Sequence, residues 1–223
     1  MKKFTFVVLM IALSFISAFG QNAVENDSQC TNQTVEKISS RGISLGMSQE
    51  ETLNLFAENG KLTVVSYAYL QGEGQTKFST SEIDYQLLLN NLQNRSARNF
   101  GFSIITLAPK DAMKFNGISR YDLGFLDNRL AFFTVYYLKP KWKNHEQFVS
   151  KLTETLNLPK PDQIDGNSTF IKCGDYTVRF GEYVNDDARY ALSVSANIDE
   201  IVGQRGKKAE DEQREKDIKT FEP

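Results

Sequence analysis

Few residues in this chain of 223 have the types and spacing that chemistry needs. Cysteine occurs twice, as Cys30 and Cys173, and histidine once, as His145. In an oxidising compartment the two cysteines suit a disulfide, which would tie the N-terminal arm to the strand around Cys173. For so long a loop the chain-entropy account gives about 4–5 kcal/mol. The spacing leaves open the alternative of an exposed Cys30 and a buried, inert Cys173. Two distant cysteines and one histidine do not offer the ligand spacing of a zinc site, so no metal and no cofactor is expected. His145 falls in the first turn of a helical pattern, with no neighbouring serine, cysteine or carboxylate placed to complete a proton relay, and it reads as a solvated surface residue. A hydrolase-like trio can be drawn from Ser195, Asp122 and His145, but most chains of this length contain such a set. Trp142, between Lys141 and Lys143, reads as a cap on the edge of the core or as an exposed interaction aromatic. Gly72-Glu73-Gly74 places a carboxylate where a phosphate cradle needs none, and Asp186-Asp187 lacks the alternating oxygen ligands of a calcium loop.

Compartment and charge narrow the function classes. Lys2 and Lys3, the apolar run from Phe4 to Ile16 and Ala18-Phe19-Gly20 read as a secretory signal peptide over 1–20. The competing reading, an uncleaved anchor, asks for a longer apolar run without Thr5 and Ser14. Cys30 lies ten residues past the cleavage site, too far for a lipid anchor. The formal net charge is −2. Losing Lys2 and Lys3 with the leader makes it more negative, which speaks against nucleic acid as a partner because phosphate neutralisation needs clustered Lys and Arg. No later segment is apolar enough to span a membrane, so the mature chain is expected to be extracytoplasmic, periplasmic or secreted, in a bacterium.

The elements that must position any site follow from hydrophobic periodicity. Residues 21–40 read as a polar, solvated arm. Ile43 and Leu45 alternate as a short strand, Gly46 turns the chain, and Ser48 with Glu51 forms a capping box for a helix over 48–58 that Asn59-Gly60 would stop. A strand over 62–70, a glycine-bearing loop over 71–79 and a helix from Ser81 to about Gln93 follow. Residues 100–107 alternate as a strand. Residues 118–126 and 130–138 form a hairpin about Asp127-Asn128, and the apolar character of both faces of 130–138 suits a central strand. Lys139-Pro140 breaks it, and Asn144 caps a helix over 145–157 with Phe148 and Leu152 on one stripe. Strands over 169–173, 176–180 and 190–196 complete the pattern. From Gly203 the chain is almost wholly charged, with no apolar stripe, and reads as a marginal exposed helix or a disordered tail. The expected fold class is α+β: an antiparallel sheet with helices packed on one face, built as two tandem α-then-strands units over 41–138 and 139–200, with a charged tail over 201–223.

Ile43-x-Leu45-Gly46-Met47-Ser48-x-Glu50-Glu51 resembles the signature that opens the small outer-membrane assembly lipoproteins of the SmpA/OmlA (BamE-like) group, and is similar to the opening of the β-lactamase-inhibitor-protein-like fold. The resemblance covers residues 41–56. It implies helices on one face of an antiparallel sheet and work by binding proteins rather than by catalysis. The chain departs from the group at Glu58-Asn59-Gly60-Lys61, where a Gly-x-Pro turn is usual, and in having no anchoring cysteine after the leader. Phe115 to Leu130, with Trp142 and Phe148, is similar to a pattern in uncharacterised secreted bacterial proteins, and that similarity carries no activity. The expected function is accordingly non-catalytic protein binding through the sheet face or an edge strand, to a partner the sequence does not identify. The alternative is an extracytoplasmic hydrolase built on Ser195, Asp122 and His145.

Overall fold

The computed structural model describes residues 30–70, 75–138, 142–161, 164, 166–182 and 188–220. The expected leader over 1–20, the arm as far as residue 29, the Gly72-Glu73-Gly74 turn, the Lys139-Pro140 break and the Asn185-Asp186-Asp187 loop lie outside the described residues.

The opening stretch folds as its residues dictate. Ser48 Oγ accepts from the Glu51 N–H at 3.1 Å and the Glu51 carboxylate accepts from the Ser48 N–H at 2.9 Å, the reciprocal pair that starts helix α2, Gln49–Asn54. Leu53 and Phe56 turn inward, 0% and 3% exposed. The helix ends before Asn59-Gly60. Those two residues, both at positive φ, instead turn the chain between the bridged Glu58 and Lys61. Ile43 belongs to a local pair, β1 Ser39–Ser40 with β2 Ile43–Ser44, rather than to the main sheet.

Strand β3, Lys61–Leu70, pairs along its whole length with β4, Gln75–Asp84. The helix expected from Ser81 therefore starts later, as α3 over Tyr85–Arg98, with Asp84 as its cap accepting from the Gln86 and Leu87 N–H groups at 2.9 and 3.1 Å. An unbroken row of main-chain partners on β3 outweighs the helical spacing of Ile83 and Leu87, and Leu87 is left 54% exposed.

The remaining elements are β5 Phe102–Ala108, β6 Ile118–Leu126, β7 Arg129–Leu138, α4 His145–Thr155, β8 Ser168–Cys173, β9 Tyr176–Glu182, β10 Ala188–Ala196 and α5 Ile198–Thr220. Eight strands form one antiparallel sheet in the order β4-β3-β5-β6-β7-β10-β9-β8. Residues 41–138 and 139–200 thus share a single sheet, joined by β7 against β10. Asp127 and Asn128, at φ 51° and 62°, make the mirror-image two-residue turn of the β6–β7 hairpin.

One face of the sheet carries the core. Leu107, Tyr121, Leu123, Phe133, Val135 and Val194 point to it and are fully buried beneath the helices. Residues 30–40 are not a solvated arm: the Cys30–Cys173 disulfide, with a Cα–Cα distance of 4.6 Å, staples them to the end of β8. Helix α1, Asn32–Glu36, then buries Val35, 0% exposed, and Ile38 just beyond it is 2% exposed. The Asn32 side chain holds the β8–β9 turn, donating to Asp175 Oδ2 and accepting from the Asp175 N–H, each at 2.8 Å. A Cβ on Gly174 would lie 2.0 Å from Asn32 Oδ1, so that close approach needs glycine. Two apolar side chains three residues apart suffice for a helical turn once a covalent bond has reduced the entropy of docking it.

The charged C-terminal stretch is the helix α5, with only Ile198 buried. Arg205 Nη1 and Nη2 donate to the two carboxylate oxygens of Asp127 at 2.8 and 2.7 Å, and Nη1 also donates to the Phe100 carbonyl at 2.8 Å. That contact holds the Asp127 carboxyl below its ordinary value. Among the described residues no helix is long and apolar enough to cross a membrane.

Candidate functional site

Strand alternation sends every second side chain of β5, β6, β7 and β10 to the face opposite the core, which the first turn of α5 approaches. Register places Thr106 beside Asp122, Asp122 beside Thr134, and Thr134 beside Ser193, which makes a polar row across four strands. Asp122 is its hub, its Oδ1 accepting from Thr106 Oγ1 at 2.7 Å and its Oδ2 from the Tyr136 hydroxyl at 2.8 Å. The Arg120 guanidinium lies over the Tyr136 ring, 4.0 Å from its centroid. Thr134 Oγ1 donates to Ser193 Oγ at 3.0 Å. These groups bond one another, and such a network fixes side-chain positions before any partner arrives.

Beside the polar row is an aromatic one. Phe132 is registered opposite Gly124, and its ring occupies the space a side chain there would take: a Cβ on Gly124 would lie 2.0 Å from Phe132 Cε1. Phe132 stacks on Phe102 with ring centroids 6.3 Å apart. Both rings line a depression of about 820 Å³ between the open face and the first turn of α5. Ser193, Ser195, Lys172 and Arg179 line its other walls. Further out the same face exposes Ile104 at 47% and Phe170 at 68%.

His145 lies on the opposite side of the sheet. It is 5% exposed, not solvated, with Nε2 3.1 Å from Thr169 Oγ1 and the ring stacked on Tyr190 at 6.4 Å. Its Nδ1 is buried and has no hydrogen-bond partner among the described residues. Burial pushes the imidazole pKa down, opposed by the charge of Glu182. The correction has a physical source: α4 sets its first turn down on β8 and β10, so a position that periodicity places at a solvated helix end is covered by strands remote in sequence. Trp142 is half-buried, packing on Tyr137, Phe148 and Tyr190 with centroids 5.5, 4.9 and 6.0 Å away. It closes the aromatic core under α4 and is not free for a partner.

The sheet therefore separates the members of the hydrolase-like trio. Ser195 and Asp122 are on the open face and His145 is beneath α4. Ser195 Oγ donates to the Ala196 carbonyl at 2.8 Å rather than to His145. Among the described residues no group of three or more His, Cys, Asp or Glu could hold a metal ion. Sequence reasoning missed Thr106, Tyr136, Arg120 and the Phe132–Gly124 pair. Two signals were present: hydroxyl residues at alternate positions of β7 and β10, and a glycine inside the otherwise bulky β6. No family model, curated protein or solved structure matches the chain.

Proposed function

We propose that the chain is a non-catalytic, extracytoplasmic protein-binding module that presents the open face of its sheet. The observation that carries this reading is the asymmetry of the sheet: one face carries the core, and the other exposes Ile104 and Phe170 and half-exposes Phe102 and Phe132 around a hydrogen-bonded polar row in which Thr106, Thr134 and Tyr136 are themselves buried. Aromatic rings framed by fixed hydrogen-bonding groups have the anatomy of a protein-recognition patch. A disulfide and the lack of a membrane-spanning helix among the described residues are compatible with an extracytoplasmic location. The resemblance of residues 41–56 to the SmpA/OmlA (BamE-like) group points to the same class of function.

The test is capture from an extracytoplasmic extract by the mature chain and by Phe132→Asp. A partner retained by the parent and lost by a variant whose circular dichroism is unchanged supports the open face. Equal retention by both moves the interface elsewhere. Turnover of ester, peptide or glycoside panels by the purified chain would replace binding with catalysis.

A further inference from the structure

The main sheet is incomplete at one seam. β3 runs for ten residues but meets β5 only at Thr63–Ala108 and Val64–Leu107. Beyond those pairs, among the described residues, no strand is registered against β5 on that side from Thr106 back to Phe102. The phase of the β5–β6 ladder shows which main-chain groups this leaves open. The Asp127 N–H donates to the Gly101 carbonyl at 2.9 Å, so residues 101, 103, 105 and 107 direct their main-chain groups to β6. Ile104, between them, directs its N–H and carbonyl into the seam, where among the described residues no strand is registered against it.

The seam has a floor and a charge. It forms a notch of about 420 Å³ whose inner wall comes from Val64, Ile83, Leu88 and Leu92, with Arg95 of α3 at its side. Arg95 makes no ion pair among the described residues, and Ile104 is 47% exposed. An unpaired strand edge over an apolar floor is a template for strand addition, the main chain supplying affinity and alternate side chains supplying selectivity.

We infer that the seam between β3 and β5 accepts an extended segment of a partner polypeptide, which adds a strand along residues 102–106, sends alternate apolar side chains down onto α3 and places a carboxylate against Arg95. The inference rests on the binding reading above and gives it a particular kind of partner. About five residues would be engaged, the length of β5 left unpaired at ~3.4 Å per residue. Ile104 connects the two surfaces, because its side chain lies on the open face and its main chain lies in the seam.

The test uses a random heptapeptide display library sorted on the mature chain, with Ile104→Pro and Arg95→Glu as comparators. Proline removes the one N–H that the seam needs at that position and is tolerated on a strand edge that makes no ladder bond there. The expected result is enrichment of alternating apolar peptides bearing an Asp or Glu, with affinity at least tenfold weaker for Ile104→Pro. Arg95→Glu should prefer the same peptides with lysine in place of the acid. Bound peptide should slow amide exchange at Ile104. If sorting enriches nothing, or the enriched peptides bind Ile104→Pro as well as the parent, the inference is overturned. A concentration-dependent dimer dissolved by Ile104→Pro, without peptide enrichment, would overturn it in favour of a second copy in the seam. A partner captured by the parent and by Ile104→Pro but not by Phe132→Asp would leave the binding reading intact and remove the seam from it.

Discussion

The two faces of the sheet are made from the same strands, yet they are held in different ways. The covered face is dry and aromatic: Phe148 is fully buried and stacks on Tyr190 at 4.8 Å, with Trp142 and Phe180 around it. On the open face Thr106, Asp122 and Tyr136 stay in place by hydrogen bonds, and Phe132 by resting over Gly124. Hydrophobic burial on one side supplies stability that does not require the other side to be packed as core.

The largest test of this difference is a pair of truncations. Phe148→Ala is expected to cost about 3–5 kcal/mol through lost burial and a cavity, whereas Phe102→Ala, half-buried on the open face, is expected to cost less than about 1.5 kcal/mol. Equal shifts in urea midpoint would show that the open face is also core. Removing the staple on the covered side by Cys30→Ala with Cys173→Ala should cost about 2–5 kcal/mol, read in the same way. If that double variant melts with the parent, α1 is held by Val35, Ile38 and the Asn32 contacts without help.

Gly124→Ala probes the open face alone, because the new methyl must displace the Phe132 ring. About 1–3 kcal/mol is expected, together with loss of captured partner. Unchanged partner retention would separate the aromatic row from recognition. The smallest effect is a pH dependence on the covered side. Burial depresses the folded pKa of His145 below the ordinary imidazole value, so the unfolded chain binds the proton first as pH falls. The stability that neutral His145 contributes is then complete above the unfolded pKa and lost as pH drops through the lower folded value. Melting temperature should decline from pH 7.5 to pH 5, with a shallower slope in His145→Gln. Matching slopes would mean that the buried imidazole does not titrate with unfolding.

Local signals in the chain were legible where one short segment decides the outcome. The Ser48–Glu51 box, the Asp127-Asn128 turn and the Asn144 cap, whose Oδ1 accepts from the Gln147 N–H at 2.9 Å, are all formed by neighbours within a few residues. The alternation of residues 132–137 correctly assigns Phe133 and Val135 to one face and Phe132 and Tyr136 to the other. It does not say which face the helices will cover. Ser81 had the credentials of a helix cap, and only the availability of β3 along its whole length turned that segment into strand. The buried His145, the shared sheet and the order of its strands depend on partners up to 143 residues apart, as with Cys30 and Cys173.

By itself, the sequence determined the α+β class, the caps and turns, and the period of each strand, because these follow from backbone sterics and from hydrogen bonds made between near neighbours. Tertiary structure alone decided that His145 is buried, that Ser195 and Asp122 are parted from it by the sheet, and that among the described residues β5 is paired with β3 only at Leu107 and Ala108. Each of those results depends on which distant surfaces cover which, a competition among burial, pairing and chain entropy that no local window contains.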